Sequence, residues 1–251
     1  MTATTEDRHA SDWAGLAERL AGTLHLAVPP IAITFSAERP VDVAAFDAPM
    51  SPPAADGRAG RVPAGCVFWV RAADTTFSTV AEDHGNCSVG SVTHGFAALT
   101  DVAGNGDVAE LLASGWVSPE AVGSIPAVSE RPGAVTYGPL ASTPASVSPD
   151  VVLVRVNGRQ MMVLSDALPG LRIEGKPQCH IVALAKEQRV PAASVGCALS
   201  RARTGMTSEE MTCALPAAEL ATIVEAVERA ASIDTTVAKY AASDARRFEP
   251  A

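Results

Sequence analysis

Two stretches of the chain, residues 28–100 and 149–216, run through the same succession of signals, and this repetition constrains the fold more than any single motif. The first opens on IAITFS (31–36), which reads as a buried strand, and crosses a Pro-, Gly- and Ala-rich loop over 47–65. It continues as CVFWVRAA (66–73), read as a second strand, and enters a helix from about Cys87 to Leu99. The second opens on the β-branched VVLVRV (151–156) and passes through a helix over RQMMVLSDAL (159–168), closed by Pro169 and Gly170. It continues as CHIVALAK (179–186), again read as a strand, and enters a helix near Cys197. In each stretch one cysteine opens a strand and a second opens a helix, 21 residues later in the first and 18 in the second. Cys87 and Cys197 are each followed eight residues on by a glycine, Gly95 and Gly205. The chain therefore reads as a single domain over 1–251 made of two pseudo-repeats. Its class is α/β or α+β: a mixed sheet with flanking helices and a weak internal duplication of two related halves.

Around the repeats, Trp13, Leu16, Leu20 and Leu24 stand at helical spacing in an N-terminal helix over 11–26, stopped by VPP. EEMTCALP (209–216) reads as a strand, and C-terminal helices are expected over 217–247, the first of them amphipathic. Between the halves, 101–149 holds a short helix near DVAELLASG and is otherwise loop and extended chain.

Charge and composition narrow the partners. Hydrophobic residues at 47% and charged residues at 19% exclude a disordered chain. A formal net charge of -9 argues against nucleic acid and anionic membranes as partners. No apolar run approaches the ~20 residues of a membrane helix, and MTATTEDRHASDW has no basic start leading into an apolar stretch. The expectation is a cytoplasmic protein acting on a small molecule, with a homodimer as the default assembly. In that compartment five cysteines read as thiols, thiolates or metal ligands rather than disulfides.

If a pseudo-twofold axis relates the halves, Cys66, Cys87, Cys179 and Cys197 converge on it. Four thiolates around one centre suit tetrahedral zinc or a cubane iron–sulfur cluster. Cys87 and Cys197, in the first turn of their helices, are expected to have lowered pKa values there. Gly85, Gly90 and Gly196 would let backbone amides approach a bound sulfide or anion. Against this, no CxxC pair occurs and free cysteines often only fill a core; Cys213 is read that way, as is the Met161–Met162 pair. His84, His94 and His180 lie near the cysteines in sequence, as candidates for ligation or proton transfer or as structural residues. Arg201 and Arg203 are placed to clamp a carboxylate or phosphate, or to pair with Glu209 and Glu210. Glu82 and Asp83 read as solvated loop acids, with acid–base work beside Cys87 as the alternative. Walker, GxSxG, HExxH and GxGxxG motifs are absent.

Four segments together carry a family resemblance: NCSVGSVTHGF (86–96), PDVVLVRVNGRQMMVLSDAL (149–168), PQCHIVALA (177–185) and SVGCALSRARTGMTSEEMTCALP (194–216). They resemble the domain of unknown function 169 family of bacteria and archaea over roughly residues 15–232. The most specific part is Ser194, Gly196 and Cys197, with Arg201 four residues on, then Glu210 and Pro216. The resemblance implies that Cys66, Cys87 and Cys179 belong to the same pattern. Leu199 stands where the family often has glycine, and Arg203 is an added arginine. The resemblance supplies no reaction. The expected function is a cysteine-ligated metallocofactor protein, a [4Fe–4S]-dependent lyase or redox enzyme with Arg201, His84 and His180 as catalytic candidates. If three cysteines ligate, Cys66 is the one left free. The alternatives are a thiolate-bound haem, a mononuclear metal such as zinc in a binding or sensing role, and a metal-free small-ligand protein.

Overall fold

The carboxylate of Asp12 accepts the amide proton of Gly15 at 2.9 Å and so starts α1 (Trp13–Leu24), which ends where His25 turns left-handed at φ 53°. The computed structural model describes residues 12–47, 64–175, 177–204 and 206–247. After α1 come β1 (Ile31–Ser36), α2 (Gly65–Arg71), β2 (Phe77–Thr79), a 3-10 turn over Ala81–His84, and α3 (Ser88–Thr93). Three short helices follow, α4 (Leu99–Val102), α5 (Gly106–Ala113) and α6 (Pro119–Gly123), and then β3 (Ala134–Pro139). The second half runs β4 (Val151–Val156), α7 (Gly158–Ala167), β5 (Arg172–Glu174), α8 (His180–Glu187), β6 (Ala192–Ser194), α9 (Ala198–Thr204) and β7 (Met211–Pro216). It closes with α10 (Leu220–Ala231) and α11 (Ile233–Arg247).

All seven strands form one sheet, in the order β2-β3-β1-β4-β7-β6-β5. It is mixed: β5 lies parallel to β6 at one edge and every other pair of strands is antiparallel. The period of two divides its side chains between two cores. Val152, Val154, Cys213 and Leu215 face a layer of α1, α7 and α10, while Val151, Leu153, Tyr137 and Ala214 face α2, α8 and an aromatic cluster. Cys213 is fully buried in the first of these, as a core residue. Among the described residues no helix is long and apolar enough to cross a membrane.

The strands β1, β4 and β7 and the helices α1, α5, α7, α9, α10 and α11 stand where the sequence puts them. CVFWVRAA and CHIVALAK do not: both are helices, α2 and α8. The cause is burial. Residues 180–185 of α8 are all buried, and a helix covered on every side shows no amphipathic stripe to set it apart from a buried strand. The helix expected from Cys87 to Leu99 stops at Thr93, because Gly95 takes φ 79° two residues later. Strand β3, in the Pro- and Gly-rich stretch read as loop and extended chain, is one of the best-buried strands. Most of the expected 47–65 loop, together with Gly205, Ser11 and the last four residues, lies outside the described residues.

Candidate functional site

Cys66, Cys87, Cys179 and Cys197 all stand at the start of a helix. Cys66 is in the first turn of α2, Cys87 and Cys179 are the capping residues of α3 and α8, and Cys197 directly precedes α9. Two of the sulfurs serve as caps themselves: Cys87 Sγ accepts from the Gly90 amide at 3.4 Å, and Cys197 Sγ from the Ser200 amide at 3.3 Å. Ser200 Oγ returns the bond by accepting from the Cys197 amide at 3.0 Å, a reciprocal capping box. Gly196, at φ 94°, turns the chain into this cap.

These helix starts meet. Cys66, Cys87, Cys179 and Cys197 line a single cavity of about 50 Å³, several times the roughly 10–15 Å³ that one water needs. Apolar side chains make most of its wall, among them Val89, Leu199 and, from the α5–α6 segment, Val108, Leu111, Trp116 and Val122. Among the described residues, two charged side chains reach it. Asp107 is committed to the start of α3, accepting from Ser88 N at 3.0 Å and Ser88 Oγ at 2.7 Å. Arg203 donates from Nη2 to the Asn86 carbonyl at 2.9 Å, while its buried Nη1 has no hydrogen-bond partner. Gln178, also in the wall, donates to Thr212 Oγ1 at 2.9 Å and leaves its buried Oε1 without a partner.

Burial governs the thiols. It pushes Cys66 from its ordinary 9.0 up to about 12, helped by the nearby Cys87 and Cys197 and opposed by Arg203. Cys179 is held well above the ordinary range by burial and then by Cys87, with the Thr93 hydroxyl opposing. Cys87 was expected to favour its thiolate at a helix start. It is instead shifted upward, because burial outweighs the Gly90 amide and Arg203. Thiols this close hinder one another's ionisation, and a cationic body among them reverses that balance. Among the described residues no group of three or more His, Cys, Asp or Glu side chains is placed to hold a metal ion. A zinc ion draws its sulfurs to about 2.3 Å from one point; here they stand around a cavity.

The other candidates lie elsewhere. Arg201 is engaged by three backbone carbonyls, from Val195 at 2.5 Å, Thr207 at 2.6 Å and Glu210 at 3.1 Å, and does not line the cavity. His180, at the start of α8, sits 3.3 Å from Glu174 Oε2 and also lies outside the lining. Asp83 accepts from the Val80 amide at 2.9 Å, in the turn before α3. Of the three glycines expected to offer amides, only Gly90 points its N–H at a sulfur; those of Gly85 and Gly196 go to Glu82 O and Ser194 Oγ.

His84 and His94 are packed together behind the cysteine wall, ring centroids 4.9 Å apart, among Phe68, Phe96 and Tyr137. Thr79 Oγ1 donates to Val135 O, so it accepts from His84 Nε2 at 3.0 Å and leaves Nδ1 unprotonated. His94 Nδ1 donates to Gly90 O at 2.8 Å, leaving Nε2 bare and without a partner. Burial holds His84 well below the usual range and brings His94 down to about 4, so both are neutral at neutral pH. A Cβ on Gly65 would come within 2.9 Å of His94 Cε1, so the imidazole edge lies directly behind the cavity wall.

Residues 19–226 match the family model of domain of unknown function 169, described as uncharacterised ArCR. The chain belongs to that family. None of the curated proteins and none of the solved structures compared with it matches. Within this family member, Gln178 and Asp107 are polar cavity residues that the sequence reading does not single out, while Arg203, one of its candidate clamps, does reach the cavity. The available signal was position: Gln178 precedes Cys179, and Arg203 lies two turns of helix beyond Cys197.

Proposed function

We propose that the protein is a thiolate-ligated metallocofactor protein, with a [4Fe–4S] cluster as the group that best suits the cavity, acting on a small molecule there. One observation carries the reading. Four cysteines from four separate helix starts line one largely apolar cavity, with a single arginine beside them. The donor set is all sulfur, which suits soft iron and zinc centres. The four sulfurs line one shared space, which a polynuclear body would fill. Cys66, Cys87, Cys179 and Cys197 would hold it. When bound, such a cluster supplies either one-electron transfer or a Lewis-acidic iron. The protein's own part is defined by its residues. The Gly90 and Ser200 amides draw electron density from two of the sulfurs, and Arg203 offsets negative charge. Val108, Leu111 and Trp116 line the cavity with apolar surface.

The apolar wall also supports a second reading, a metal-free site for a small apolar ligand. Anaerobic purification followed by reconstitution with iron and sulfide separates the two. The metallocofactor reading expects a broad brown absorbance and about four iron atoms per chain, both lost in Cys87→Ala/Cys197→Ala. A colourless protein that takes up no iron, with the double variant indistinguishable from it, would falsify that reading.

A further inference from the structure

Read outward from its middle, the sheet gives the same three strands twice: β1-β3-β2 on one side and β4-β7-β6 on the other. The registers agree residue by residue. Ile31 lies opposite Pro139 as Val151 lies opposite Pro216. Placing Pro139 on Pro216 brings Tyr137 onto Ala214, and their partners Phe77 and Ala192 then coincide without adjustment. Between the halves, Ile31 faces Leu153 and Ile33 faces Val151, with Ala32 opposite Val152. That contact is self-complementary, as an isologous twofold interface is. Even the strand ends agree: Leu140 N donates to Pro30 O at 2.8 Å, and Ala217 N to Asp150 O at 3.0 Å.

The helices follow the same operation. α2 packs on α9 and α3 on α8, the crossed pattern in which each contact is the image of the other. The cavity lies where they cross. Cys66 corresponds to Cys179, Cys87 to Cys197, and two residues beyond each of the latter pair Val89 corresponds to Leu199; all six line it. The Gly90 and Ser200 amides, each donated to a cysteine sulfur, are also equivalent. Among the described residues α7 and β5 have no counterpart in the first half, and at the cavity the symmetry is broken at two further places. Arg203 stands where the first half has Thr93, and the α4–α6 segment roofs the cavity where the second half has only residues 205–210.

We infer that the cavity lies on the twofold axis of an internal duplication, residues 31–142 repeated in 151–219, and takes a compact inorganic body that offers the same sulfur-binding face to both halves. The nature of that body rests on the metallocofactor reading; the duplication does not. A polynuclear metal–sulfide core meets the requirement, because it presents equivalent metal corners in opposite directions. A one-sided organic molecule does not. Arg203 and the roof then give an otherwise symmetric site a single distinct side.

A volume-conserving exchange in the full-length protein tests this. Val89→Leu, Leu199→Val and the double variant are compared by thermal melting of the iron-free, reduced protein. Facing residues of one cavity compensate. Each single change is expected to lower Tm by about 2–4 °C, roughly what one methylene is worth in a chain of this size, and the double to return to within about 1 °C of the parent. Losses that simply add would overturn the duplication about this cavity, since independent sites are additive. The second measurement is site-resolved iodoacetamide protection after iron–sulfide loading. Equal protection of Cys66 with Cys179, and of Cys87 with Cys197, is expected; protection confined to one half overturns the twofold site. A compensating melt in a protein that takes up no iron upholds the duplication and removes the metal core.

Discussion

Replacing Gly65 with alanine tests whether the cavity wall and the buried histidines are one packed unit. The new methyl carbon would lie 2.9 Å from His94 Cε1, well inside van der Waals contact. An exposed side-chain end would swing away at little cost. The His94 ring is tied by Nδ1 to Gly90 O at 2.8 Å and packed against His84 at 4.9 Å, so it has no free direction. Overpacking of this kind costs about 1–3 kcal/mol, offset by the roughly 0.5–1 kcal/mol that alanine gains over glycine in a helix. The net expectation is a loss of about 1–2 kcal/mol, or roughly 2–8 °C in Tm for a chain of this length. The assay is a double-mutant cycle of Gly65→Ala and His94→Ala by thermal denaturation. Alone, Gly65→Ala lowers Tm; with the imidazole removed it is neutral or stabilising. A Gly65→Ala penalty of equal size with and without His94 would show that the strain lies elsewhere and refute the reasoning.

Two further predictions concern ionisation and backbone packing. Cys66 is raised from 9.0 to about 12 in the folded state, so its neutral thiol contributes stability that is complete below pH 9 and lost as pH rises toward 12. Urea unfolding of the iron-free, reduced protein is expected to show this fall, and Cys66→Ala to make it shallower; an unchanged slope argues against the buried thiol. Gly133 donates its N–H to Ser36 O at 2.9 Å, and a Cβ there would run into the Ala37 carbonyl. Gly133→Ala should therefore cost about 3 kcal/mol, and a melting temperature equal to the parent's would rule the clash out.

What the sequence disclosed follows from how much of each signal is local. β1 and β4 are read to the residue because six consecutive apolar or β-branched residues between turns leave little choice. α7 is legible through its stop at Pro169 and Gly170; at its start Asn157 and Gln160 cap one another at 2.8 and 3.0 Å. The apolar run at 179–186 reads as a strand because residues 180–185 of α8 are all buried and show no polar face, and that at 66–73 because Arg71 alone interrupts it. The grouping of the four cysteines was legible as spacing. The roof was not, because nothing local to residues 99–123 says which surface those short helices will cover. Nor was the pairing of His84 with His94, which depends on Thr79 and Gly90 supplying partners from separate segments.

The face of the sheet away from the cavity is closed by the first and one of the last helices. Leu16, Leu20 and Leu24 of α1 pack with Ile223, Val224 and Val227 of α10, and Arg19 grips the Glu228 carboxylate through two hydrogen bonds at 2.8 and 2.9 Å. In synthesis, α10 emerges about two hundred residues after α1. At a translation rate of roughly 5–20 residues per second that is an interval of about 10–40 seconds. Through it the side of α1 that packs on α10 lacks its partner, while Leu140, Val152 and Leu164 reach the same cluster sooner. The α1–α10 contact is thus a non-local closure that favours slow folding, and a chain stalled before residue 220 would leave that side of α1 uncovered.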